Sequence, residues 1–241
     1  MTDWAVIGHD GLQSRVFTMR GARILDQGCG ADEAAALEGL GPRSRLYRIG
    51  EGQPDALPCP LLPGSGRSLA GLTQDSPPDV IDGWVRFILL GFAEAHPNWD
   101  GVACVLSDQL SHWVHLSANE AVSCQSFLTP RLITALGGAL PPDSAAISDS
   151  LSRPERLAAH LRSAQVTATP AALSGHLLGA ELAAARPYWL GQSVALIAPA
   201  GAASGYAAAL GAQGVPVEQH APDALLPGAL AALARALGFS D

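Results

Sequence analysis

Apolar and polar positions organise the chain into recognisable elements. Residues 4–7 and 14–19 are β-rich runs separated by the turn-prone His9-Asp10-Gly11, which predicts a hairpin. Residues 32–40 are rich in Ala, Leu and Glu, open on acids that suit a helix N-terminus, and stop at Gly39-Leu40-Gly41-Pro42, which predicts a short helix. Leu46-Tyr47-Arg48-Ile49 predicts another strand, and residues 50–79 are Gly-, Pro- and polar-rich, as expected of a loop with only short strands. In residues 80–95, Val80, Ile81, Trp84, Phe87, Ile88 and Phe92 fall near helical spacing, and His96-Pro97-Asn98 ends the helix. The division between two lobes is placed there, at 1–98 and 99–241. Residues 102–106, 113–116 and 121–124 then predict three strands, repeating the way the first lobe opens. Beyond residue 128 the pattern is mostly helical, broken at Gly137-Gly138 and Pro141-Pro142. It closes as helix 171–185, strand 194–197, helix 205–210, strand 215–217 and helix 225–237. Such alternation implies parallel strands with crossover helices, an α/β class.

Composition narrows the chemistry. The 14 basic residues are all arginine, so a P-loop, which needs its lysine on the phosphates, and a Schiff-base enzyme are both excluded. A net charge of −8 without a basic cluster argues against nucleic acid as a partner. No stretch approaches the roughly 18 apolar residues of a membrane span, and Met1-Thr2-Asp3-Trp4 carries no targeting pattern, so a soluble cytoplasmic protein is expected. Cys29, Cys59, Cys104 and Cys124 form no Cys-x-x-Cys pair and read as reduced structural thiols.

Three motif-like stretches are set aside as turns. Gly28-Cys29-Gly30 begins a dinucleotide-like pattern, but Glu33 stands where its third glycine belongs. Gly191-Gln192-Ser193-Val194-Ala195 imitates a hydrolase elbow, yet it enters a strand instead of leaving one. Gly64-Ser65-Gly66-Arg67 lacks strand-to-helix context.

Several stretches keep a common order and spacing: Leu57-Pro58-Cys59-Pro60; Pro78-Asp79-Val80 with Gly83 and Leu89-Leu90-Gly91; Ser111 with Trp113-Val114 and Phe127; Leu173-Ser174-Gly175 with Gly179 and Glu181; and Tyr206 with Ala208-Ala209-Leu210 and Gly214. In these the chain resembles the 2-dehydro-3-deoxygalactonokinases over most of its length, as a divergent and shortened member. The resemblance implies a two-lobed actin-like ATPase (ribonuclease H-like) fold, with mixed sheets flanked by helices and a nucleotide held between the lobes. It further implies ATP and Mg²⁺ as cofactors, and a sugar acid and a nucleotide as small-molecule partners in galactonate catabolism. A homodimer is compatible with it.

Departures from the family pattern bear on the site. The family opens Asp-Trp-Gly-Thr-Ser-Asn-Leu-Arg, and here Gly8-His9-Asp10-Gly11-Leu12-Gln13-Ser14-Arg15 keeps only Arg15 in register. Asp10 either positions Mg²⁺ or closes a polar turn, while Gly11 and Arg15 fall at the phosphate side of the motif. The second phosphate loop, Pro-Gly-Thr-His-Ser-Lys-Trp in the family, is Ser107-Asp108-Gln109-Leu110-Ser111-His112-Trp113. Asp108 replaces a glycine, and binds metal, acts as base toward the substrate hydroxyl, or is a turn residue. Ser111 and His112 fall on the phosphate side, although His112 and His115 point to opposite faces of a strand and cannot chelate one ion. The family's Thr-Gly-Glu-Leu is Thr129-Pro130-Arg131-Leu132, which places Thr129 and Arg131 at the substrate and reverses a charge. Gly175 lies on a predicted helix at a cost of about 1 kcal/mol, for close packing or for a ligand. Gly201, in Ala198-Pro199-Ala200-Gly201, follows a strand on the usual ligand edge of α/β sheets. Two functions remain: a kinase placing the ATP γ-phosphate on the terminal hydroxyl of 2-dehydro-3-deoxy-D-galactonate, with Asp10 and Asp108 catalytic, or a catalytically degenerate pseudokinase that binds a sugar acid, nucleotide or protein.

Overall fold

A computed structural model describes residues 3–41, 45–62, 64, 66, 68–199 and 201–239. Of the residues named above, Met1, Thr2, Pro42, Ser65, Arg67 and Ala200 lie outside this set. The chain runs β1 (Asp3–His9), β2 (Ser14–Arg20), β3 (Arg23–Gly30), α1 (Glu33–Leu37), β4 (Arg45–Ile49), β5 (Asp55–Ala56), β6 (Cys59–Pro60), β7 (Ser68–Leu69), β8 (Leu72–Asp75), β9 (Pro78–Ile81) and α2 (Gly83–Ala95). It continues β10 (Asp100–Leu106), β11 (Ser111–Ser117), β12 (Glu120–Phe127), α3 (Thr129–Ala135), α4 (Ser144–Ser152), α5 (Leu157–Val166), α6 (Pro170–Ala184), α7 (Arg186–Trp189), β13 (Val194–Ile197), α8 (Ser204–Ala212), β14 (Val217–His220) and α9 (Pro222–Ala236). Two compact units result: residues 1–99 with 116–123 and 222–241, and residues 100–115 with 124–221. No helix of the described residues is long and apolar enough to cross a membrane.

In the first unit, the expected hairpin pairs β1 with β2 antiparallel, Val6 opposite Phe17 and Gly8 opposite Arg15. Its five-stranded sheet has the order β3-β2-β1-β4-β7. Gly28-Cys29-Gly30 lies in β3 and is not a turn. The reason is packing: a Cβ on Gly28 would stand 2.3 Å from the Ala36 carbonyl oxygen, so the glycine lets α1 lie on the strand. Val80 and Ile81 fit the helical spacing of the following segment, but they pair in β9 with Thr73 and Leu72. The helix starts at Gly83 because the Asp82 carboxylate caps it, accepting from the Val85 N–H at 2.8 Å.

α2 is buried from Gly83 to Ala93. Gly91 brings α9 against it, since a Cβ there would stand 2.2 Å from the Leu225 carbonyl oxygen. A single division at 98/99 therefore does not describe the packing: the closing helix returns to the first unit, as do residues 116–123, where Glu120 and Ala121 pair with Pro60 and Cys59. One buried side chain organises the loop region. Arg86, 1% exposed, donates to the carbonyls of Leu61, Pro60 and Ala70 and to the Asp55 carboxylate at 2.7–3.1 Å. The guanidinium fork gives these carbonyls, from separate stretches of the loop region, one shared cationic donor.

In the second unit the strands β14-β13-β10-β11-β12 lie side by side, with β10, β13 and β14 parallel as the alternating pattern predicted. The core beside them joins Val102, Cys104 and Trp113 of the strands with Leu178, Leu182, Trp189, Tyr206 and Leu210 of the helices. α6 approaches α4 closely because it carries two glycines there. A Cβ on Gly175 would meet the Asp143 carbonyl oxygen at 2.5 Å, and one on Gly179 the Ile147 carbonyl oxygen at 2.3 Å. Cys104 and Cys124 are buried, and burial pushes the Cys104 thiol up.

Candidate functional site

Parallel register in the second unit sets three strand ends level: Val105 pairs with Ile197, and Ile197 with His220. Of the connections that leave this carboxyl edge, the ligand edge of open α/β sheets, two carry expected site residues. One is the turn 107–110, closed by the Ser107 N–H on the Leu110 carbonyl at 2.8 Å, with Asp108 exposed at its tip. The other is the segment after β13, where Gly201 has φ +86° and leads into α8.

Beneath this edge lies a buried carboxylate. Glu181, on α6 and 3% exposed, accepts from Ser111 Oγ at 2.7 Å and from Trp113 Nε1 at 2.9 Å on one oxygen, and from the Tyr206 hydroxyl at 2.9 Å on the other. The Thr129 hydroxyl joins them. Burial pushes the Glu181 carboxyl up from its ordinary value, against the four hydrogen bonds, which favour the charged form. The cluster fixes β11, α3, α6 and α8 to one another, and so orders these two connections. Glu181 falls in one of the stretches that carry the family resemblance, where no role was expected of it. Its signal was a carboxylate interrupting the apolar face of Leu177, Leu178 and Leu182.

Among the expected site residues, Ser111 and Thr129 come together on Glu181. Ser111 is fully buried and turned to that carboxylate, which is a supporting position and not a phosphate contact. His112 does not fit a phosphate contact either: it is 2% exposed, with Nδ1 2.7 Å from Ser126 Oγ of the neighbouring strand. Gly175 packs against α4, so its glycine is explained by helix approach. Arg131 is exposed on α3.

Asp10, Gly11 and Arg15 belong to the first unit. Asp10 follows β1, and its Oδ1 accepts from the Leu12 and Gln13 N–H groups, both at 2.9 Å, closing the hairpin turn with Gly11 at φ +96°. Arg15 pairs with Asp223 of α9, and its guanidinium lies 5.5 Å from the Phe17 ring centroid and 5.7 Å from that of Trp84. As a donor for Mg²⁺ Asp10 fits in type, because Mg²⁺ takes oxygen ligands and in nucleotide sites needs only one or two carboxylates besides phosphates and water. Asp10 keeps Oδ2 beyond its turn bonds.

Residues 146–233 match the family described as 2-keto-3-deoxy-galactonokinase. Over those residues the chain is similar to that family. The matched stretch runs from α4 through α6, β13, α8 and β14 into α9, and so contains Glu181, Tyr206 and the connection after β13. Solved structures extend the likeness of fold to the whole chain. A protein of Sinorhizobium meliloti designated a candidate 2-dehydro-3-deoxygalactonokinase matches with a TM-score of 0.79 and 22% identity, over 97% of this chain and 99% of that one. Component A of (R)-2-hydroxyglutaryl-CoA dehydratase from Acidaminococcus fermentans matches at TM-score 0.54 and 12% identity, over 98% and 97%. The 2-hydroxyisocaproyl-CoA dehydratase activator of Clostridium difficile, solved with bound ADPNP, matches at 0.52 and 13%, over 98% and 94%. The fold is accordingly the two-lobed α/β fold of actin-like ATPases and sugar kinases. No curated protein sequence matches the chain.

Proposed function

We propose that the chain is an ATP-dependent kinase that places the γ-phosphate on the terminal hydroxyl of 2-dehydro-3-deoxygalactonate. The observation that carries this reading is the family match over residues 146–233, which contains both the buried Glu181 cluster and the connection at the ligand edge of the second sheet. In this reading the segment around Gly201 receives the nucleoside through its backbone, a mode of recognition that survives side-chain change. Asp108 orients the substrate hydroxyl and takes its proton, while Arg131 meets the sugar-acid carboxylate. Asp10 is the carboxylate that would hold Mg²⁺, which when bound neutralises phosphate charge. Catalysis then rests on positioning and electrostatics, in keeping with a chain that has no lysine.

A second reading is supported by the Asp10 turn, whose Oδ1 is taken by two backbone N–H groups. A member with that carboxylate committed to the turn would bind a sugar acid without transferring phosphate. A coupled ADP-release assay with ATP, Mg²⁺ and 2-dehydro-3-deoxygalactonate separates the two. Turnover that depends on the sugar acid supports the kinase. No turnover, together with thermal stabilisation by the sugar acid alone, supports the binder.

A further inference from the structure

Three helices of the second unit converge on a cluster that the proposed phosphoryl transfer does not use. α4 supplies Asp149 and Ser150, α5 supplies His160, and α6 supplies His176. The convergence depends on the glycines of α6, because Gly175 immediately precedes His176 and permits the close approach to α4. We propose that Asp149, His160 and His176 form a binding site for a divalent transition-metal ion, best matched by Zn²⁺, that ties α4, α5 and α6 together.

The geometry supports a three-ligand site. One nitrogen from each imidazole and one Asp149 oxygen all lie within 4.8 Å of one another, and His160 Nε2 is already 3.2 Å from Asp149 Oδ2. Tetrahedral Zn²⁺, with bonds of about 2.0–2.1 Å, holds its ligand atoms roughly 3.4 Å apart. Small rotations of Asp149 and His176, both half-buried, close the remaining gap. Arg153 pairs with Asp149 Oδ1, which leaves Oδ2 on the histidine side.

The surroundings are those that orient metal ligands. The Ser150 hydroxyl, fully buried, lies 3.0 Å from His160 Nδ1 and 2.9 Å from His176 Nδ1. A hydroxyl oxygen has two acceptor lone pairs, so Ser150 can receive both Nδ1–H groups and leave each Nε2 lone pair open for an ion. The two rings stand 4.5 Å apart. Two imidazoles and one carboxylate suit Zn²⁺ and neighbouring ions, with a fourth position for water; Mg²⁺, which demands oxygen ligands, is disfavoured. The site is thus chemically distinct from any Mg²⁺ carried with a nucleotide.

The test uses the untagged full chain stripped with a chelator and titrated with Zn²⁺ against a chromogenic indicator. One ion per chain is expected, with visible absorption of tetrahedral type when Co²⁺ replaces Zn²⁺. His160→Gln and His176→Gln should each weaken binding at least tenfold, and Ser150→Ala by about 10–100-fold through the loss of ring orientation. Circular dichroism verifies folding, and the half-buried His176 serves if the buried His160 variant does not fold. Zn²⁺ should raise the melting temperature of the parent protein and not of His176→Gln. Absence of stoichiometric binding, or binding unchanged in a folded histidine variant, overturns the proposal.

Discussion

The Tyr206 hydroxyl donates to Glu181 Oε2 at 2.9 Å, while the other carboxylate oxygen takes Ser111 and Trp113. Truncating such a hub leaves several buried donors without an acceptor, which costs far more than one average hydrogen bond. Glu181→Ala is therefore expected to lose about 3–5 kcal/mol in urea denaturation, and Glu181→Gln distinctly less, because the amide oxygen still accepts from Ser111 and Trp113.

The same carboxyl predicts a pH dependence. Its ordinary value is 4.5, and burial raises it in the folded chain. A raised folded value means that its contribution to stability is complete below about pH 4.5 and is lost as pH rises through the folded value. Glu181→Gln has no such loss. The stability of this variant relative to the parent should therefore improve between pH 5 and pH 8 in paired denaturation curves. A relative stability that falls over that range contradicts the assignment.

Helix approach is testable by paired glycine substitutions. Gly179→Ala drives a methyl group to 2.3 Å from the Ile147 carbonyl oxygen, and overpacking of this kind costs about 1–3 kcal/mol or more. Gly211 lies in α8, exposed, with nothing within 4 Å of its would-be Cβ. Gly211→Ala should leave stability unchanged or raise it by up to about 1 kcal/mol. Equal melting temperatures for the two variants would contradict the close α4–α6 contact.

Arg86→Lys should fail where a surface exchange would pass. A single ammonium cannot serve the carbonyls of Leu61, Pro60 and Ala70 together with Asp55, which the guanidinium reaches from four directions. A loss of about 3 kcal/mol is expected, with faster proteolysis of the loops around residues 55–71 as the local readout.

Asp108 is exposed, so its replacement tests function without confounding the fold. Asp108→Asn should lower kcat by about 10²–10⁴-fold, the range for loss of a general base, with an unchanged melting temperature. Unaltered kcat would remove Asp108 from the chemistry.

Much of the architecture was legible in local pattern. The β1–β2 hairpin, the strand trio and the β13–α8–β14–α9 tail were each expected from alternation and helical spacing, because burial on one face writes itself into the residue order. Val80 and Ile81 misled because an apolar pair has no period of its own; the Asp82 cap, a local signal, marks the helix start better. Gly28 and Gly30 read as turn residues, yet they serve a close helix approach that only tertiary structure reveals. The same limit applies to the site. Ser111, Thr129 and Glu181 are separated by up to 70 residues, and their convergence is a property of packing. The cluster of Asp149, His160 and His176 draws on three helices and shows no ligand spacing along the chain.

The central claim is transfer of phosphate to a sugar acid, and ³¹P NMR of the full reaction reads it directly. With ATP, Mg²⁺ and 2-dehydro-3-deoxygalactonate, a phosphomonoester resonance should grow in step with ADP and vanish when the sugar acid is omitted. Inorganic phosphate as the only new signal, or no change at enzyme concentrations comparable to substrate, would contradict the account.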